Sequence, residues 1–157
     1  MRIHLIAIGT RMPGWVQLGY DDYARRMPRE CELVLKEIVP GKRSKNSDVR
    51  RIIRDEGRRM LAAIPRSSLI VALDLAGPNW STAQVAEALS RWRNSGKNLS
   101  LLIGGPDGLS DECKSRTVET WSLSRLTFPH PLVRIIVAEQ LYRAWTVLQN
   151  HPYHRRV

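Results

Sequence analysis

Apolar positions along this chain alternate between short dense runs and longer stretches of helical period. Residues 3–8 form a run of β type, after which Trp15, Leu18, Tyr23 and Met27 recur at helical spacing. Residues 33–39 predict a second strand, crossed by Lys36 and Glu37. Val49, Ile52, Ile53, Met60, Leu61 and Ile64 predict a long amphipathic helix. Asn46 or Ser47 is its expected cap, since a short polar side chain there can accept an orphan N–H of the first turn. Residues 69–73 are apolar without a break, the mark of a strand buried on both faces of a parallel sheet. Ser81 with Gln84 predicts a capping box; Val85, Leu89 and Trp92 give the next helix one face, and Gly96 suits its C′ position. Residues 99–103 read as another strand, stopped by Gly104-Gly105-Pro106. Ser110 is expected to cap a short helix reaching about Glu119, and residues 121–126 form a weak fifth strand. Pro131 at the first helical position opens a last helix, with Val133, Ile136, Val137, Leu141, Ala144 and Trp145 on its apolar side, and Pro152 ends it.

Strand and helix alternate throughout, which predicts an α/β fold: a mainly parallel sheet with helices on both faces. The 157 residues fit a single domain spanning 1–157, and no linker, repeat or low-complexity segment divides them. In open sheets of this kind ligands bind outside the carboxyl ends of the strands. Residues 73–75, 104–108 and 123–128 are expected there.

Composition narrows the class. A hydrophobic fraction of 43% with 25% charged residues excludes a disordered chain, a collagen-like chain and a small disulfide scaffold. Cys31 and Cys113 are far apart and make no CxxC pair, so no metal site is expected and a reduced, cytoplasmic setting is. Residues 1–13 do not read as a signal peptide, and no apolar run approaches the ~20 residues of a membrane span. Lys and Arg number 25 against 15 Asp and Glu, a net charge of +10. That excess favours a polyanionic partner, nucleic acid ahead of an anionic membrane. Basic residues cluster at Lys42, Arg43 and Lys45, at Arg50, Arg51, Arg54, Arg58 and Arg59, and at Arg155 and Arg156.

The glycine loop 104–108 is neither GxGxxG nor a P-loop. It is either a tight turn needing positive φ or a place where an adenosine-type ligand comes close to the main chain. Residues 122–131 mix small hydroxyl and apolar side chains ahead of a helix start. Leucine main chain there can bond an adenine edge while Leu and Phe side chains cover its faces. His130 stands at the helix entrance, either to orient a substrate or move a proton, or without a chemical task. Glu139 and Arg143, at i and i+4, read as a surface ion pair unless the helix places them in a pocket. His4 reads as a sheet histidine with its partners satisfied. Tyr153, His154 and Arg155 suit a splayed base and a phosphate, or else belong to a frayed end.

Several motifs together resemble one family. Gly41-Lys42-Arg43, the run from Leu101 to Gly108, the run from Leu126 to Arg134, Glu139-Gln140-Leu141-Tyr142-Arg143-Ala144 and the terminal Asn150-His151-Pro152-Tyr153-His154-Arg155 are similar to the ribosomal RNA large subunit methyltransferase H family, in order and at family length. The resemblance implies a SPOUT-type fold with a C-terminal trefoil knot, working as a homodimer. It implies methyl transfer from S-adenosyl-L-methionine to N3 of pseudouridine 1915 in helix 69 of 23S rRNA, on the ribosome. The implied cofactor contacts are Leu73, Gly104, Leu123, Ser124, Arg125, Leu126, Thr127 and Phe128, through the main chain at Arg125 and Phe128. Tyr153, His154 and Arg155 would face RNA, reaching towards the partner subunit's pocket, and Lys42 and Arg43 would add RNA contacts. For the N3 proton the candidates are His154, His130 and Glu139; Arg143 or Arg155 would stabilise the developing anion.

Overall fold

β1 (Arg2–Ile8) and β4 (Asn98–Ile103) are buried along nearly their whole length because they occupy the middle of the sheet. The computed structural model describes residues 1–155; Arg156, named above among the basic residues, and Val157 lie outside the described residues. Five strands lie in the order β2-β1-β4-β3-β5, and every pairing is parallel. The others are β2 (Glu32–Ile38), β3 (Ser68–Leu73) and β5 (Glu119–Trp121). Parallel neighbours need crossovers. These are α1 (Gly14–Ala24), α2 (Val49–Ala62), α3 (Thr82–Asn94) and α4 (Asp111–Ser115), and α5 (His130–Leu148) follows the last strand.

Side chains on a strand point alternately to its two faces. Ile3, Leu5 and Ala7 therefore join Leu99, Leu101, Ile103 and Val71 under α1, α3 and α5. Ile6 and Ile8 join Ala72 and Leu102 under Met60 of α2 and Cys113 of α4. This double cover explains the unbroken apolar runs. In β3 only Val71 and Ala72 are fully buried, because its outer neighbour β5 spans three residues; full burial on both faces belongs to β1 and β4.

Local chemistry corrects several boundaries. The cap of α2 is Asp48, whose carboxylate accepts the Arg51 N–H at 3.2 Å; the Ser47 hydroxyl accepts the Ser44 N–H within the preceding loop, and Asn46 is exposed. Ser110 caps α4 as expected, but the helix ends at Ser115 rather than near Glu119. The chain then turns to place the Val118 N–H on the Ile70 carbonyl at 2.8 Å, which starts β5 earlier than expected and beside β3. Residues 122–126 leave the sheet instead of extending it. His130, not Pro131, is the first residue of α5. Residues 152–155, expected to belong to a frayed end if not to a base site, form a 3₁₀ turn packed on α5.

His4 is 8% exposed and burial lowers its pKa, yet its Nδ1 has no partner among the described residues, so the expectation of a satisfied histidine fails there. Cys31 and Cys113 are buried free thiols. Among the described residues no helix is long and apolar enough to cross a membrane. The Ser81–Gln84 capping box is present with both bonds made, and Gly96 adopts φ +71° after α3. Ser81→Ala is expected to cost about 1 kcal/mol in urea unfolding, with an unchanged denaturant slope.

Candidate active site

Because the sheet is parallel, β3, β4 and β5 all release their chains at one edge. Residues 73–75, 103–109 and 122–130 meet there around a cleft of about 370 Å³, within the range of small-ligand sites. Its walls are mainly Leu73, Leu75, Ile103, Leu123, Leu126, Phe128 and Val133, with the main chain of Gly104 and Gly105 between them. The Ser122 N–H donates to the Pro78 carbonyl at 2.8 Å. The Ser122 hydroxyl donates to the Ser124 carbonyl at 2.9 Å, and the Ser124 hydroxyl accepts the Leu126 N–H at 3.0 Å.

The glycine loop is the tight turn that was one of its two readings, and it also lines the cleft. Gly108 has φ +84° and donates its N–H to the Gly105 carbonyl at 3.0 Å, so it is a tight turn. A Cβ on Gly104 would stand 2.7 Å from the Gly108 carbonyl carbon, a backbone atom that cannot step aside. Only glycine lets the loop fold back on itself and still offer its main chain to the cleft.

His130 closes the cleft from the start of α5. Its Nε2 lies against the Gly104 carbonyl. A carbonyl only accepts, so Nε2 carries the hydrogen in this contact. The ring's Nδ1 is buried and has no partner among the described residues.

Seven of the eight expected cofactor residues line the cleft. Arg125 does not; the loop turns its exposed side chain outward. Glu139, Arg143, Tyr153 and His154 are not part of the cleft either. At ~1.5 Å of rise per residue, Glu139 stands about 13 Å further along α5 than His130. There Arg143 places Nε and Nη2 on Glu139 Oε1 at 2.8 and 2.6 Å, the Tyr153 hydroxyl donates to the same oxygen at 3.0 Å, and Gln140 donates to Oε2 at 2.8 Å. The pair is thus no plain surface pair: its side chains are 22% and 15% exposed and it anchors the terminal turn. The bond from Glu139 raises the Arg143 pKa, and burial, then Glu139, raises that of Tyr153. The Tyr153 ring lies 4.7 Å from that of Tyr142 and under the Arg143 guanidinium at 5.1 Å. His154 is half-buried, and Arg155 and Lys42 are exposed. Arg43, expected to face RNA, spends its guanidinium on Glu56 and Asp107 instead.

Two buried charges near the cleft were not expected. Arg134 is 1% exposed; its Nη1 meets Glu37 at 2.7 Å and its Nη2 donates to the Gly9 carbonyl at 2.7 Å, tying α5 to the ends of β1 and β2. Its spacing with Val137 and Leu141 put it on the apolar face, a legible signal. Glu56, four residues from both Ile52 and Met60, carried the same signal. Asp74 follows β3 and lines the cleft, within the segment 73–75 expected at the strand ends; its partner Lys114 on α4 was not foreseen.

With that geometry in hand, a family profile described as "Predicted SPOUT methyltransferase" matches residues 1–154. A protein of Methylococcus capsulatus named "Ribosomal RNA large subunit methyltransferase H" is 62% identical over 155 residues, covering 99% of this chain and 100% of its own. The chain belongs to the SPOUT methyltransferase family. A relative of the same name from Thioalkalivibrio sulfidiphilus is 59% identical over 155 residues, covering 99% of each. Two solved structures share the fold. One, described as "Structural insights into the 2-OH methylation of C/U34 on tRNA", has a TM-score of 0.53 at 19% identity, with 96% and 98% of the two chains covered. The other, "a probable methylase family protein from Haemophilus influenzae Rd KW20", has a TM-score of 0.54 at 11% identity, with 96% and 69% covered.

In this SPOUT methyltransferase the Asp74 carboxylate has a depressed pKa. Burial works to raise it, but the Ala76 N–H at 2.9 Å and the Lys114 ammonium at 3.0 Å outweigh burial. A carboxylate with a lowered folded pKa contributes its full stability above about pH 4 and loses it as pH falls through the lower value. Asp74→Asn is expected to lose about 1–2 kcal/mol at neutral pH and to flatten the acid limb of stability below about pH 4. Urea titrations across pH check this; a limb as steep as that of the parent would contradict the depressed value.

Proposed function

We propose that this protein methylates 23S ribosomal RNA, transferring a methyl group from S-adenosyl-L-methionine to N3 of pseudouridine 1915 in helix 69 on the ribosome, in the cytoplasm, as a knotted homodimer. The observation that carries the reading is the cleft at the carboxyl edge, because its walls answer the donor's chemistry. Leucine and phenylalanine side chains suit the faces of an adenine, and main-chain groups of the lining residues 104, 123, 124 and 126–128 suit its edge. The buried His130 Nδ1, which has no partner among the described residues, lies beside them and would accept a hydrogen bond in the neutral ring. The family and the names of the two relatives point the same way.

S-adenosyl-L-methionine supplies a methyl carbon already activated by its sulfonium. What the chain supplies is placement, which accounts for much of the acceleration when two reactants must meet in line. The N3 proton has three possible acceptors in this account, His130 in the cleft and His154 or Glu139 on the terminal cluster. Arg143 or Arg155 stabilises the charge that develops on the base.

One chain keeps the cleft and the terminal cluster apart, and a second copy is what brings them together. Trp15 is 56% exposed, Leu18 71%, Leu126 68% and Leu132 36%, an apolar surface near both α1 and the start of α5 that a partner subunit would cover. The basic residues of α2, with Lys42 and Lys45, supply backbone affinity that falls steeply with salt, while the shape of the loop and its exposed base supply specificity.

The test is methyl incorporation into ribosomes lacking the modification, followed by mass mapping. The expected mark is a single methyl on the helix 69 pseudouridine; a mark on transfer RNA, or none, would overturn the reading. In the same assay at least one of His130→Ala and His154→Ala is expected to slow single turnover by about 10²–10⁴-fold; near-normal rates in both would remove histidine from proton transfer.

A further inference from the structure

We propose that Glu56, which lines no part of the cleft, is the positioning residue of its glycine loop and acts through Arg43 and Asp107. The inference rests on the donor-site reading above and adds to it a residue on the opposite face of the sheet.

Glu56 is 2% exposed on α2. Its Oε1 accepts the Gly41 N–H and Arg43 Nη1, each at 2.8 Å, and its Oε2 accepts Arg43 Nη2 at 3.2 Å. The same guanidinium then extends Nε to Asp107 Oδ2 at 2.8 Å, inside the turn of residues 105–108. Gly105 of that turn rests against the carboxylate itself, since a Cβ there would stand 3.3 Å from Glu56 Oε2.

A carboxylate this buried is tolerated only when fully paired, and an apolar residue would fill the place at less cost. What the pair secures is direction. A guanidinium is a planar fork, so fixing two of its nitrogens on Glu56 fixes where the third points. It points at Asp107. The loop needs such help, because Gly104, Gly105 and Gly108 leave its backbone few preferences of its own. His130 holds one end of the loop through the Gly104 carbonyl, and the Glu56–Arg43 clamp holds the other.

Calorimetry with S-adenosyl-L-methionine tests the proposal on the wild-type protein, Glu56→Gln, Asp107→Asn and the double variant, each first checked for a cooperative thermal transition. Each single change is expected to weaken donor binding by about tenfold, as loss of placement does. The double variant is expected to bind within about twofold of Glu56→Gln, because both changes break one chain. Arg43→Lys, which keeps the charge and loses the fork, is expected to match Asp107→Asn. A folded Glu56→Gln with wild-type affinity, or single effects that add in the double variant, would overturn the clamp. Should Glu56→Gln not fold, wild-type affinity in both Asp107→Asn and Arg43→Lys would overturn it equally. Heat absent from the wild-type protein would overturn the donor-site reading and the clamp with it, whereas wild-type heat with unaffected variants would overturn the clamp alone.

Discussion

All five strands run the same way, and that single constraint decides where chemistry can occur. A parallel sheet gathers every outgoing loop at its carboxyl edge and sends every returning segment through a helix. Loops after β3, β4 and β5 are thereby forced into contact although they lie far apart in sequence. The central strands are buried by helices on both faces, which leaves the edge as the place where main-chain groups can meet a ligand. The cleft is a consequence of strand direction, and its specificity is a consequence of which loops arrive.

Charge in this protein is used twice. Much of it serves the fold: Arg134 ties α5 to two strand ends, Arg43 spans a buried carboxylate and the glycine loop, and Arg143 anchors the terminal turn through Glu139. These guanidiniums suit inner roles because each can satisfy several acceptors at fixed angles. The exposed arginines of α2 and the lysines before it remain at the surface, where a polyanion can reach them. The 25 Lys and Arg residues therefore overstate the part available to a polyanion, while the net charge of +10 already discounts the paired carboxylates; cluster counting in the sequence could not separate the two uses.

The order of elements was legible because apolar runs and helical periods are local properties. Strands near residues 3–8 and 99–103, the Ser81–Gln84 box and the Ser110 cap all follow from neighbours in sequence. What escaped depends on a distant partner or on a choice between neighbouring polar side chains. The length of β5 is set by β3, the start of α2 by Ser47 turning back to the Ser44 N–H while Asp48 takes the Arg51 N–H, and the course of the chain at Arg125 by a serine-bonded loop. The cleft residues were readable as strand ends plus motif resemblance. The position of Asp74 was readable in the same way, but its ion pair with Lys114 on another element was not. Arg134 and Glu56 sat on apolar helix faces, where a charge signals a buried partner without naming it.

The central claim is that the edge built from residues 73–75, 104–108 and 122–130 holds the methyl donor by its main chain. A crystal structure of the protein grown with saturating S-adenosyl-L-methionine tests this most directly. The account predicts the adenine between Leu and Phe side chains of that edge, its polar rim on backbone groups of residues 104 and 123–128. Donor bound elsewhere, or a bare cleft at saturation, would contradict it.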